Sequence, residues 1–407
     1  MTTTEPSAAS PSRTRRRMPT LIRNVALVGF GLLLAWLVLE IALRVAFDAL
    51  PPGVQAVIQH VRRLPWAEDA IIPVFPYIID RDFQARLPTG LRDYPVHWSD
   101  ARFTFDTISI WEGHRAGLRT DPPRWPLDVM VFGDSFGFCW TPIEDCWVPR
   151  LAEGTGWHIV NASIPGTGPG GQLNLMREVA GPTQPALIIW QWFTNDVTDD
   201  YDLARIRGEV EELRGGPLPD PVRLPRGIGQ YSAVAALVDN ALDPPLRDSP
   251  YRHFQDVILN GRRVSVRTDE YPHLHAMAYP SNVYGLPRNL AAHAEGVQLA
   301  ESVGAQAVIV FIPSKEEAYA SLLTEQLGAA YGEYIDQIGE ARRALLAQCG
   351  EQGWHCLDPL PAFQEAINGG QTIYYAFDAH LDATGNRLLA ELVQSYIAAN
   401  DLLLPRQ

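Results

Sequence analysis

Hydrophobic and polar positions divide the chain into three zones. An apolar run covers residues 25–39 and, past Glu40, continues to residue 47. Residues 50–126 are rich in proline, aromatic and polar residues and show few long periodic runs. From residue 127 onward, short apolar strands alternate with amphipathic helices, a pattern typical of βαβ units and a parallel sheet.

The third zone predicts a fold of the α/β class: a three-layer sandwich with a central parallel sheet. Its strands are predicted at 128–132, 158–162, 186–193, 306–313 and 354–358. Its helices are predicted at 171–179, 289–303, 315–349 and 384–399, the third of them broken at Gly328 and Gly332. We place this domain at residues 127–400, after a stalk and irregular extension at 48–126 that holds a strand at 102–105.

An insertion at about 199–285 interrupts the βα rhythm after the third strand. It reads as a charged helix, a proline-rich linker, an apolar helix over 231–242 and a hairpin over 256–266. Asn260 and Gly261 suit the positive φ angles of a type I′ hairpin turn. Because the insertion leaves the sheet at the carboxyl end of a strand, it is either a lid or specificity element or a packing decoration.

The apolar run at 21–47 is long enough for one transmembrane helix. Glu40 and Arg44, four residues apart, can pair and reach the headgroups. A cleaved signal peptide is the alternative, but the basic leader is long and no convincing small-x-small site follows. Residues 1–20 are predicted to be a disordered, basic, cytoplasmic tail. The remainder is then expected outside the cell membrane, in the periplasm or at the cell exterior.

Charge and cysteine content narrow the possible partners. The formal net charge of −14 disfavours nucleic-acid binding. The four cysteines form two closely spaced pairs, Cys139 with Cys146 and Cys349 with Cys356. Local disulfides in an oxidising compartment or free buried thiols fit these spacings better than zinc, and the sequence leaves the connectivity open.

The candidate chemistry begins at Gly133-Asp134-Ser135, directly after the first strand of the predicted sheet. In open α/β sheets, ligands bind at the carboxyl ends of the strands. A serine at this place is either a nucleophile waiting for a base or the N-cap of a helix.

Three later segments carry groups that suit acyl chemistry. Gly166 follows the second strand, where a glycine lets its backbone N–H approach a ligand, or simply forms a flexible turn. Asn195 ends the third strand and either directs its amide at an oxyanion or forms a turn. His380, with Asp378 two residues before it, offers a general base and a carboxylate to orient it.

Other conspicuous residues near these motifs have simpler explanations. Asp196 is expected to hydrogen-bond its own loop. Lys315, after the fourth strand, could reach the site, but is expected at the surface of a first helical turn. Four tryptophans are expected mostly in the core, with one or two free to stack on a sugar ring: Trp140, Trp147, Trp190 and Trp192.

Taken in order, Ser135, Gly166, Asn195 and His380 resemble the four sequence blocks of SGNH (GDSL-type) hydrolases, over roughly residues 127–400 without the insertion. The resemblance implies that Ser135 is the nucleophile, that His380 is the base and that Asp378 orients it. It also implies an oxyanion hole formed by the N–H groups of Ser135 and Gly166 and the amide of Asn195. We expect neither a cofactor nor a metal.

Two departures from the family pattern stand out. The third block reads Phe-Thr-Asn-Asp rather than Gly-x-Asn-Asp, and the last reads Asp-x-His rather than Asp-x-x-His. The shorter spacing leaves open whether Asp378 or a backbone carbonyl orients His380. Asp-x-His does occur in the SGNH-like domains of alginate acetylation proteins, and the segment 313–319 is similar to that membrane-anchored branch.

The sequence therefore predicts an extracytoplasmic serine esterase or O-acyltransferase acting on an acylated envelope glycan or lipid. Transfer would require an acyl donor, usually delivered by a separate membrane-protein partner. The alternative is a non-catalytic subunit of a membrane complex that retains the fold.

Overall fold

The computed structural model describes residues 20–51, 54, 57, 58, 75–98, 100–210, 231–242, 254–267 and 280–403. Its helices are α1 Thr20–Val45, α2 Ser135–Phe138, α3 Trp147–Thr155, α4 Pro169–Thr183, α5 Asp196–Arg207, α6 Ala233–Leu242, α7 Pro280–Ser302, α8 Lys315–Ala318, α9 Ala320–Leu327, α10 Ala329–Ile338, α11 Glu340–Gln352, α12 Leu360–Asn368 and α13 Ala383–Ala399. Its strands are β1 Ile78–Asp80, β2 Gln84–Arg86, β3 Tyr94–Trp98, β4 Ala101–Phe105, β5 Val129–Phe132, β6 Ile159–Asn161, β7 Leu187–Trp192, β8 Phe254–Leu259, β9 Arg262–Arg267, β10 Gln306–Phe311 and β11 His355–Leu357.

The central sheet consists of five parallel strands in the spatial order β11-β10-β7-β5-β6. Numbered along the chain within this sheet, the order is 2-1-3-4-5, the doubly wound order of flavodoxin-like folds. The five strands predicted from the sequence are confirmed. The direction of winding changes between β5 and β7, and in such sheets the ligand site lies at that switch point, beside the carboxyl ends of the strands.

Helices cover both faces of the sheet, which confirms the three-layer sandwich. Successive side chains of β5 point to opposite faces: Val129 and Val131 join one buried cluster, and Met130 and Phe132 join another. The first cluster includes side chains of α3, α12 and α13, and the second includes side chains of α4 and α7. Both faces of the sheet are therefore buried, as is typical of parallel sheets.

The described part of the segment before residue 127 packs on the sheet. It forms two antiparallel hairpins, β1–β2 and β3–β4. Phe83, Phe103 and Phe105 are buried in the same cluster as Met130 of β5. Residues 59–74, where a stalk would lie, fall outside the described residues.

Two predicted helix boundaries need correction. The break expected at Gly332 is wrong, because this residue lies inside α10; the chain breaks at Gly328 and again at Gly339. A Cβ on Gly339 would lie 2.6 Å from Oε1 of Glu317, so a tertiary contact favours glycine there. The helix expected from residue 289 begins nine residues earlier, at Pro280.

The apolar helix α1 is long enough to cross a membrane, from Arg23 to Val45, and length and composition alone also fit a signal sequence. Near its end, Arg44 Nε donates to Glu40 Oε1 at 2.6 Å, so the predicted pair forms. Glu40 also accepts hydrogen bonds from Ser232 Oγ, Ala233 N and Val234 N, at the start of α6. The expected tail at 1–20 lies almost wholly outside the described residues.

The hairpin predicted in the insertion is confirmed as β8–β9. Asn260 and Gly261 have φ angles of 51° and 75°, as the type I′ turn requires. Ser265 N of β9 donates to Ala376 O at 2.7 Å, which places this hairpin against the loop that precedes α13.

Candidate active site

The turn after β5 presents the hydroxyl of Ser135. Asp134, not Ser135, is the N-cap of α2, because its Oδ1 accepts the N–H of Phe136 at 2.9 Å. The buried Gln191 Oε1 accepts the N–H groups of Asp134 and Gly137 at 3.0 and 2.8 Å. With capping done by its neighbour, the Ser135 side chain is available for other chemistry.

Ser135, His380 and Asp378 form a continuous hydrogen-bonded chain. His380 Nε2 lies 2.7 Å from Ser135 Oγ, and His380 Nδ1 lies 2.6 Å from Asp378 Oδ1. The two partners come from opposite ends of the α/β domain, 245 residues apart. The structure thus brings these three predicted residues together at the carboxyl edge of the sheet.

The short Asp-x-His spacing works through a tight turn. Asp378 Oδ1 accepts the backbone N–H of His380 at 2.8 Å as well as the ring N–H. The side chain of Asp378 itself therefore contacts the imidazole despite the short spacing, and its role in orienting His380 stays a prediction. Burial would raise the pKa of Asp378, but the adjacent imidazole, its hydrogen bonds and Lys315 together lower it below the ordinary value.

A second carboxylate, that of Asp100, hydrogen-bonds the backbone of the Asp378 turn. Asp100, in the β3–β4 connection, accepts the N–H of Phe377 at 3.2 Å and that of Asp378 at 2.9 Å. Burial and the neighbouring Asp378 raise the pKa of Asp100. The N-terminal extension thus contributes directly to the loop that carries the imidazole.

Gly166 and Asn195 follow the two strands that flank β5, five residues after the end of β6 and three residues after the end of β7. Gly166 has a φ angle of 69°, in the region that favours glycine, and a Cβ there would lie 3.4 Å from the hydroxyl oxygen of Tyr77. Asn195 Nδ2 donates to Asp199 Oδ2 at 3.1 Å, which orients the amide and leaves its second N–H for another acceptor. Asp196 accepts the N–H of Phe193 at 2.9 Å, the loop role predicted for it. The oxyanion-hole roles of Gly166 and Asn195 stay a prediction.

Aromatic rings surround the imidazole. Trp140 stacks on His380 with ring centroids 5.2 Å apart and an interplanar angle of 21°, and Phe136 lies at 4.7 Å. Trp140, Trp147, Trp190 and Trp192 are all buried, as predicted. Trp98, which meets Trp140 edge-on, is 38% exposed.

A disulfide and a buried cation hold the loop after α2. Cys139 is bonded to Cys146, and Cys349 to Cys356, so all four cysteines of the sequence are in disulfides and not in a zinc site. Arg119 donates to the carbonyls of Phe138, Cys139 and Thr141. Burial lowers the pKa of Arg119 to about 9. These contacts fix the loop that carries Trp140.

Sequence reasoning missed the residues that support the site, namely Gln191, Arg119 and Asp100, and it misplaced Lys315. The surface position expected for Lys315 is wrong: the residue is 2% exposed and donates to three carbonyls. A signal was present, because Lys315 is the only lysine in the sequence.

No family model and no curated protein matches the chain. Solved structures similar to it include the acetyl xylan esterase AlAXEase, at 10% identity and a TM-score of 0.37, which covers 67% of this chain and 100% of that one. A GDSL-like lipase from Bacteroides thetaiotaomicron has 11% identity and a TM-score of 0.35, covering 68% and 89%. TesA has 17% identity and a TM-score of 0.35, covering 68% and 99%.

Of these three proteins, one is named as GDSL-like and none is named for alginate acetylation. Because these identities and TM-scores are low, a functional proposal for this chain is based on the residues of its own site.

Proposed function

We propose that the chain is a serine esterase or O-acyltransferase of SGNH type that works through an acyl-enzyme on Ser135. The observation that carries this proposal is the hydrogen-bonded chain Ser135–His380–Asp378, with steps of 2.7 and 2.6 Å. A nucleophile, a base and an orienting carboxylate in this order are the minimal machinery for acyl transfer.

In the first step, Ser135 Oγ attacks the ester carbonyl and its proton moves to His380 Nε2. Asp378 accepts the other ring N–H and stabilises the imidazolium that forms. The N–H groups of Ser135 and Gly166 and the Asn195 amide hold the oxyanion, where each donor is typically worth 10²–10³ in kcat. The leaving alcohol takes the proton from His380.

In the second step, His380 removes a proton from the acceptor as it attacks the acyl-enzyme. The bond from the acyl group to Ser135 Oγ then breaks, and Ser135 takes the proton back from His380. Water as acceptor gives hydrolysis, and a sugar hydroxyl gives transfer. Both outcomes use the same groups, so the acceptor site decides between them. The exposed ring of Trp98 beside Trp140 supports a carbohydrate acceptor or leaving group, because aromatic faces pack against sugar rings.

The reaction is tested by fluorophosphonate labelling of the full chain in detergent, read by intact mass. Wild type should gain one label and hydrolyse p-nitrophenyl acetate, and Ser135→Ala should do neither. Ser302→Ala, which removes an exposed hydroxyl at the end of α7, should behave as wild type. A wild type that neither labels nor hydrolyses the ester would overturn the proposal and favour a non-catalytic subunit of a membrane complex. Equal labelling of wild type and Ser135→Ala would overturn the role of Ser135 as the nucleophile.

We further propose that α1 anchors the protein as a single-pass helix with the α/β domain outside the cytoplasm. The basic residues before α1 support this orientation, and two disulfides suit an oxidising compartment. The substrate is then an acylated envelope glycan or lipid, and transfer would require a membrane-protein partner that delivers the acyl group.

Orientation is tested by reporters fused after residue 407. An alkaline phosphatase fusion should be active and a cytoplasm-only fluorescent fusion dark. Mass spectrometry of the purified chain separates anchor from signal peptide, because a mature chain that begins after residue 45 would contradict retention of α1.

A further inference from the structure

One lysine stands apart from every other cation of the chain. Of the 33 Lys and Arg residues, 32 are arginines and the exception is Lys315. It is the first residue of α8, four residues after the end of β10, yet it is 2% exposed. A first-turn position on so short a helix normally faces solvent, so its burial needs a reason.

The reason is a cradle of three backbone carbonyls. Lys315 Nζ donates to Ser265 O at 3.0 Å, to Ala376 O at 3.0 Å and to Asp378 O at 2.9 Å. An ammonium group has three N–H donors, and all three are used. Two acceptors belong to the loop that carries Asp378 and His380, and the third belongs to β9 of the insertion hairpin.

An ammonium suits this cradle better than the guanidinium that the chain uses elsewhere. Its donors diverge from one compact centre, whereas those of arginine lie in a plane on a larger group. A lysine ammonium can therefore donate to three carbonyls from two different segments at once, which suits this site. This geometry gives a physical reason for a lysine at position 315, where the chain otherwise uses arginine as its cation.

The charges around Lys315 complement the chemistry proposed for His380. Asp100, Glu316 and Asp378 face the ammonium as carboxylates, and Arg267 is bound to Glu316 at 3.0 Å. With Lys315 protonated, the formal charge of these five groups is −1, and a protonated His380 as the sixth group brings the sum to zero. Burial lowers the pKa of Lys315 to about 8, although the three carboxylates oppose the shift.

We propose that Lys315 is a positioning residue of the same site, which holds the Asp378 turn in register and ties the β8–β9 hairpin to it. The proposal rests on the proposed function. The Asp-x-His turn uses Asp378 Oδ1 for two hydrogen bonds within the turn itself. The carbonyls of that turn are then fixed from the other side by Lys315, which sets the direction from which Asp378 meets the ring.

The test measures fluorophosphonate labelling of Ser135 in the full-length protein across pH, with Lys315→Met and Lys315→Arg as variants. Lys315→Met should lower the limiting rate of labelling at least 30-fold, with the half-saturating probe concentration within twofold of wild type. Lys315→Arg keeps the charge but not the geometry and should recover little. Arg343→Met removes a positive charge from an exposed helix position and serves as the matched control, with an unchanged rate.

A second measurement uses the wild type alone, so it stands even if a variant fails to fold. Because the chain has one lysine, [¹⁵N]lysine labelling gives a single side-chain ammonium resonance. It should exchange slowly with water and titrate near pH 8, and the labelling rate of Ser135 should fall through the same midpoint. A rate that stays constant through that midpoint, or an ammonium that exchanges rapidly, would overturn the proposal.

A folded Lys315→Met variant that labels within threefold of wild type would also overturn it. Failure of the proposed function has a different signature: wild type itself would not label, while the buried ammonium would still be observed.

Discussion

The substitution Asp378→Asn probes the electrostatic part of the site most directly. Asparagine has the shape of aspartate, but it carries no charge to stabilise the imidazolium that forms when Ser135 attacks in the proposed reaction. The carboxylate oxygen lies 2.6 Å from His380 Nδ1, which puts the two charge centres about 4 Å apart. At an effective dielectric constant of about 20, that pair is worth about 4 kcal/mol.

Loss of about 4 kcal/mol from the transition state corresponds to a fall of about 10³ in rate. The assay is the second-order rate constant for fluorophosphonate labelling of Ser135, measured beside p-nitrophenyl acetate hydrolysis. Asp378→Asn should slow both about 1000-fold, and the melting temperature serves to show that the variant is folded.

Asp382→Asn is the matched control. Asp382 caps α13 by accepting the N–H groups of Thr384 and Gly385 at 2.9 and 3.0 Å, and asparagine caps helices equally well. The same substitution four residues away should leave the labelling rate within twofold of wild type. If Asp378→Asn is folded and stays within threefold of wild type, a carboxylate partner for His380 is refuted.

Three further predictions concern support of the site. Gln191→Leu leaves two buried N–H groups without an acceptor and should lower the free energy of unfolding by roughly 2–4 kcal/mol in a denaturant titration; an unchanged midpoint would contradict this. Replacing both cysteines of either disulfide by serine opens an eight-residue loop and should lower the free energy of unfolding by roughly 2–3 kcal/mol. Only loss of Cys139–Cys146 should also slow labelling of Ser135. An equal slowing on loss of Cys349–Cys356 would contradict this prediction. Lys315 has a pKa of about 8 in the folded chain and 10.5 in the unfolded chain, so between pH 8 and 10.5 the unfolded chain binds more protons. Over this range the free energy of unfolding of the wild type should rise by about 3 kcal/mol relative to that of Lys315→Met. A difference in unfolding free energy that does not change with pH would refute the burial of a charged Lys315.

The strands were predictable because they are buried on both faces. Residues 187–190 and 307–311 form the apolar runs that a parallel sheet requires, and their ends are marked by polar or turn residues. Helix breaks were harder, since Gly332 and Gly339 look alike in the sequence. Gly332 has Thr324 as the nearest neighbour of its missing Cβ, at 3.2 Å, and stays helical, whereas Gly339 is crowded by Glu317.

The chemistry of the site was predictable where a motif is local, and hidden where the partner is a distant backbone group. Ser135 and His380 stand out through the residues beside them. Gln191 and Arg119 do not, because their hydrogen-bond partners lie 19 to 57 residues away along the chain and leave no local pattern. The composition of the whole chain still carried information, since a solitary lysine among arginines is visible without any structure.

Glu40 gives the apolar helix a mechanical role. Its carboxylate accepts three hydrogen bonds from Ser232, Ala233 and Val234, at the start of a helix more than 190 residues later. A shift of α1 along its own axis by one turn, 5.4 Å, would pull this carboxylate out of reach and uncover the start of α6. Force applied along α1 would therefore act on the start of α6 through these hydrogen bonds, and the same hydrogen bonds would resist sliding of α1.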